Sequence, residues 1–125
     1  MKKQLITLLL LLSSYILYGQ QVNSFCSVEI WKYNDYTGKF YLSTNTASYG
    51  YMFTNDDVIK IYVDGKLYFD FNKVDLEIYS EKVIEGVSIV TLRSKVDKTI
   101  FIQANKYWVA ITKGTDYKII FNTCK

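Results

Sequence analysis

The sequence predicts an all-β fold, an antiparallel meander of about eight or nine strands closed as a small barrel or folded as a two-sheet sandwich, preceded by an N-terminal signal helix. Three observations carry this. Period-2 alternation of apolar and polar residues dominates after residue 24. The segments between alternating runs are short and rich in Asn, Asp and Gly. No stretch beyond residue 20 shows the 3.6-residue spacing of an amphipathic helix. Short connections select antiparallel neighbours, because parallel pairing needs a long crossover.

The first residues differ from the rest. Lys2 and Lys3 precede an apolar run from Leu5 to Leu12 broken by Thr7, the apolar character resumes at 15–18, and Gly19 supplies a small residue. This is the layout of a secretory signal peptide. The run is too short and interrupted for a membrane anchor, which needs about 20 apolar residues. Cleavage is expected between Gly19 and Gln20, leaving 20–125 as a single β domain without a membrane span. Cys26 stands too far past the apolar run to be a lipid-acceptor cysteine. The expected destination is the periplasm or the exterior.

Taken in order, residues 20–24 are polar and read as a frayed end. The alternation then gives strands over 25–33 and 39–44, joined by Asn34-Asp35-Tyr36-Thr37-Gly38. Residues 45–57 are the least regular stretch and read as a long loop, a kind that is often functional. Strands over 57–63 and 66–71 flank Asp64-Gly65, the strongest hairpin signal in the chain. Asn72-Lys73 permits a tight reversal into a half-buried strand over 74–79, and 80–85 reads as a turn or one helical turn. Strands over 86–93, 98–103, 107–112 and 117–122 complete the series.

Composition excludes several chemistries. The 125 residues contain no histidine, which removes Ser–His and Cys–His nucleophiles and histidine metal sites. Two cysteines are too few for a self-contained zinc site. Without Lys2 and Lys3 the chain carries 13 basic and 12 acidic residues, a net charge of +1, and Arg93 is its one arginine. Nucleic-acid binding rests on clustered positive charge, so no nucleic-acid partner is expected.

Cys26 and Cys124 lie near the two ends of the exported chain. In an oxidising compartment they are expected to form a disulfide. It would close a loop of about 100 residues, worth about 4–5 kcal/mol in the chain-entropy model, and would require the first and last strands to meet.

The chemistry that remains is carboxylates, turn oxygens and aromatics. Asp75 and Glu77 on one strand face would stand about 6.5–7 Å apart, which overlaps glycosidase spacing and also describes any solvated strand. Asn55-Asp56-Asp57 and Asp64-Gly65 offer hard oxygens, but Asx residues also start turns; no metal or cofactor is expected. The aromatics stand out, at 17% of the chain. Trp31, Tyr33, Tyr41, Tyr62, Tyr68 and Trp108 lie opposite the aliphatic phase, and Tyr49 and Tyr51 fall in 45–57. Tyrosine stabilises half-buried sheet surfaces; an amphipathic aromatic face also suits a binding surface. The expectation is an exported, non-catalytic binding module. Trp31, Tyr41, Tyr49, Tyr51, Tyr62, Tyr68 and Trp108 are its candidate contacts, and its partner is a protein or an envelope or carbohydrate ligand. The alternatives are a carrier of an apolar molecule or sugar in a barrel cavity, and a carboxylate hydrolase.

Overall fold

The computed structural model describes residues 21–124, so the expected signal segment lies outside the described residues. The fold is an antiparallel sheet of ten strands curled into a half-barrel, with no α-helix among the described residues. The strands are β1 (Gln21–Asn34), β2 (Lys39–Thr46), β3 (Gly50–Thr54), β4 (Val58–Val63), β5 (Lys66–Asn72), β6 (Leu76–Ile84), β7 (Val87–Ser94), β8 (Ile100–Ala104), β9 (Trp108–Lys113) and β10 (Tyr117–Thr123). A 3₁₀ turn, Lys73–Asp75, joins β5 to β6. The sheet order is β5-β4-β3-β1-β10-β9-β8-β7-β6, with β2 branching from β1.

Several readings from the sequence are corrected. The strands number ten rather than eight or nine and form one curled sheet rather than two packed sheets, and the strand expected over 74–79 begins only at Leu76, after the 3₁₀ turn. Residues 20–24 are not frayed where they are described: residues 21–25 pair with β3 from Gln21↔Thr54 to Phe25↔Gly50. The sequence there shows no apolar alternation, and the strand becomes visible only through its ladder with β3. The stretch 45–57 is not one long loop. Strand β2 runs into it, β3 occupies Gly50–Thr54, and Asn55 closes a tight turn by accepting from the N–H groups of Asp57 and Val58, both at 2.8 Å. Residues 80–85 are not a turn. Strand β6 continues to Ile84, and the reversal falls on Glu85-Gly86 with φ of 52° and 77°. Two positive φ values in succession make this the same hairpin geometry as Asp64-Gly65, at 50° and 80°. Glutamate is an unusual occupant of that conformation, so the sequence gives no warning of it.

Facing residues place the core. Ile30, Ile119, Ile111, Ile102, Leu92 and Ile78 oppose one another in turn across six strands and form an aliphatic row on the inner face. The other wing presents Met52, Ile61 and Phe69 in register. Phe25 and Phe121 are fully buried with ring centres 5.2 Å apart, and Phe69 meets Phe121 edge-on at 6.1 Å. Residues of both wings, Met52, Ile59, Ile61 and Phe71 on one side and Val90, Leu92, Ile102 and Ile111 on the other, surround a central void of only about 20 Å³. That is room for about one water, so the core is packed.

The disulfide Cys26–Cys124 spans a sequence separation of 98 and clamps β1 to the chain end, where the β1–β10 register shifts between Phe25 and Ser27. A disulfide of this kind belongs to an oxidising, non-cytoplasmic compartment. Replacing both cysteines by serine is expected to lower unfolding free energy by about 2–5 kcal/mol. Chemical denaturation of the two forms measures it; equal midpoints would show that the ladder alone holds the ends together.

Candidate functional site

The outer face divides into two regions with different chemistry. Across β1, β10, β9, β8, β7 and β6, the row Trp31, Lys118, Thr112, Phe101, Arg93, Glu77 runs in register. Its groups satisfy one another. The Lys118 ammonium lies 5.7 Å from the Trp31 ring centre, and the Trp31 indole N–H donates to Glu29 at 3.1 Å. The Asn122 amide donates to Glu29 at 2.6 Å and to Ser27 at 3.1 Å. Tyr79 packs edge-on against Phe101 at 5.1 Å and carries the Arg93 guanidinium 5.0 Å above its ring. Such cation–π contacts contribute about 0.5–1 kcal/mol at exposed sites. Trp31 therefore acts inside this network, and Trp108 is half-buried opposite Asn122, its backbone N–H donating to the Asn105 side-chain oxygen at 2.9 Å.

The β3–β4–β5 wing is different. Tyr51 faces Tyr62, and Tyr62 faces Leu67, so the three form one row on the outer face. The Tyr51 and Tyr62 rings are stacked, with centres 4.8 Å apart and planes at 22°. Leu67 is 49% exposed, and the flanking Tyr68 and Tyr49 are 54% and 69% exposed. Tyr49 reaches this corner because its carbonyl accepts from the Asp64 N–H at 3.0 Å, tying the β2–β3 connection to the β4–β5 turn. Gly50 makes that approach possible, since a Cβ there would run into the Tyr62 carbonyl oxygen. The structure thus brings together Tyr49, Tyr51, Tyr62 and Tyr68. It leaves Tyr41 apart, half exposed on β2 opposite Lys32, and it leaves Trp31 and Trp108 on the other region. Leu67 joins them unexpectedly, since period-2 alternation with Phe69 and Phe71 would put it on the opposite, apolar face. The register shift between Ile61 and Tyr62 turns it outward, and nothing in the sequence marks that bulge.

The carboxylate pair offered by the sequence does not form. Asp75 ends the 3₁₀ turn while Glu77 sits on β6, so the two do not share one strand face. Glu77 accepts from Lys98 at 3.0 Å and from Arg93 at 3.3 Å, and the Lys98 hydrogen bond foremost holds its carboxyl below the usual carboxylate range. Asp97 is likewise lowered by the hydroxyl and N–H of Thr99. Burial, aided by Asp116 and Asp97, raises the Tyr117 phenol. No group of three or more potential metal ligands occurs among the described residues.

No protein-family model and no curated protein matches the chain.

Two outcomes follow from this geometry. Gly50→Ala is expected to cost about 1–3 kcal/mol, the range for forcing a group into occupied space, and to loosen the Tyr51–Tyr62 stack; near-UV circular dichroism and denaturant melts check both. A lowered carboxyl contributes stability above its unfolded value and loses it as pH falls through its folded value. Glu77→Gln is therefore expected to lower Tm slightly at pH 7, with the gap to wild type closing in acid. A gap that persists at pH 2 would place the effect outside the ion pair.

Proposed function

We propose that the protein is an exported, non-catalytic binding module that engages an envelope component, a glycan chain above all, through the aromatic corner of β3, β4 and β5. The observation that carries this is the Tyr51–Tyr62 stack with Leu67, Tyr49 and Tyr68 around it. Four of the seven candidate contacts read from the sequence, Tyr49, Tyr51, Tyr62 and Tyr68, lie at this one corner. Stacked phenol rings offer flat apolar faces, while their hydroxyls remain available to hydrogen-bond a polar ligand. That pairing of properties suits sugar rings. A protein surface is the second occupant with the same demands, since tyrosine is enriched where proteins meet.

Export is supported by the N-terminal pattern of basic, apolar and small residues and by the disulfide. The non-catalytic reading is supported by the separation of Asp75 from Glu77 and by the cations that occupy Glu77.

The test replaces Tyr51, Tyr62 and Tyr68 by serine and measures co-sedimentation with purified envelope polysaccharide. Loss of about tenfold or more in binding is expected, given about 1–3 kcal/mol for two or three aromatic contacts, with the fold retained by circular dichroism. Binding that is unchanged in the triple variant, or absent from wild type for both polysaccharide and envelope proteins, would overturn the reading.

A further inference from the structure

A cavity of about 320 Å³ opens at the disulfide end of the half-barrel. Its volume lies at the lower end of the range for small-molecule sites, about 300–1,000 Å³. It is assembled from the start of β1, from Met52 of β3, from the β8–β9 turn, from Val109 and from the chain end at Thr123 and Cys124. Phe25, Met52, Ala104 and Val109 make the apolar part, and Phe25, Met52 and Val109 are themselves buried.

The polar part comprises Asn23, Ser24, Asn105, Lys106 and Thr123, with Lys106 its one charged side chain. Asn105 lines the cavity and is only 7% exposed. Its side-chain oxygen accepts from the N–H groups of Tyr107 at 2.7 Å and Trp108 at 2.9 Å. The oxygen is therefore committed to the turn, and the amide NH₂ has no hydrogen-bond partner among the described residues. Lys106 stands next to it at the rim, its ammonium 5.0 Å from the Tyr107 ring centre and in no ion pair among the described residues. No Asp or Glu lines the cavity. A donor at the cavity wall with no protein partner is available to an acceptor on a bound molecule. A cation beside it selects an acceptor that carries negative charge.

We propose that this cavity binds an amphipathic anion, a medium-length apolar chain ending in a carboxylate or similar headgroup. The chain lies against Phe25, Met52, Ala104 and Val109, and the headgroup is held by the Asn105 amide and Lys106. This site is separate from the tyrosine corner and does not rest on the glycan reading.

Isothermal titration of the purified protein with decanoate, decanol and decyltrimethylammonium tests it. Decanoate is expected to bind, decanol more weakly, and the cation not measurably. Lys106→Gln, at an exposed position, is expected to weaken decanoate by about tenfold and bring it level with decanol, in line with the strength of a charge-assisted contact. Val22→Trp, which fills the mouth from another exposed position, is expected to abolish binding of both. Serine at Tyr51 and Tyr62 is expected to leave decanoate binding unchanged. The proposal is overturned if decanoate does not bind, if it binds no better than decanol to wild type, or if Val22→Trp leaves its affinity intact.

Discussion

The pairing of the first strand with the last is the constraint on which the rest of the structure depends. β1 is fourteen residues long, and its two edges serve three partners. One edge carries β10 from Phe25 to Trp31; the other carries β3 over 21–25 and β2 over 28–34. Remove the β1–β10 ladder and the sheet separates into two wings, each a meander of local hairpins with one apolar face in water. The ladder is also the most remote contact in the chain, so its formation carries the largest loop-closure cost. The disulfide acts at that point. By joining Cys26 to Cys124 it removes much of this cost from the unfolded ensemble, and it does so beside Phe25 and Phe121, whose rings fill the floor of the core.

Curling brings the inner faces of the wings together, and the depth of that packing decides where a ligand can sit. The centre holds space for about one water. A carrier reading based on a hollow barrel has no room there. Space opens at the disulfide end, where the turn at Asn105 and the chain ends no longer interdigitate, and free surface remains on the β3–β4–β5 corner. A packed interior thus leaves room for the proposed ligands only at the rim and on the outside of the sheet.

Much of the fold was legible because alternation and turn chemistry are local. The strands around Asp64-Gly65 and the run 117–122 announce themselves in a window of a few residues. The failures share a physical cause. Gly50-Tyr51-Met52-Phe53-Thr54 hides its period because the outward residues Tyr51 and Phe53 are as apolar as the inward Met52. Residues 21–24 are strand only because β3 lies beside them. Ile84-Glu85-Gly86 turns with a residue that seldom adopts positive φ. For the candidate sites, the sequence showed an aromatic excess but not its division. Trp31, Tyr79 and Phe101 are engaged by Glu29, Lys118 and Arg93 through pairings across strands, and no local pattern reports which aromatics are so engaged. The end cavity was illegible altogether, since its wall draws on segments as far apart as Val22, Met52, Asn105 and Thr123.

β3 joins these threads. It is the strand hidden in the least regular part of the sequence, and consecutive residues on it serve opposite surfaces. Tyr51 points outward to stack on Tyr62, while Met52 points inward to the core and the wall of the end cavity. Strand geometry enforces this division, because neighbouring side chains alternate across the sheet. Ser24, opposite Tyr51 on β1, and Phe25, opposite Gly50, extend the same alternation to the neighbouring strand. The β1–β3 ladder therefore presents Tyr51 to the outer face and Met52 to the inner one, and a side chain can be changed on either face without altering the backbone pairing between them. Phe25, buried and paired with Gly50 on one side and Thr123 on the other, stands where β1 meets both β3 and β10, so the ladder that joins first strand to last also anchors the strand that carries Tyr51 and Met52.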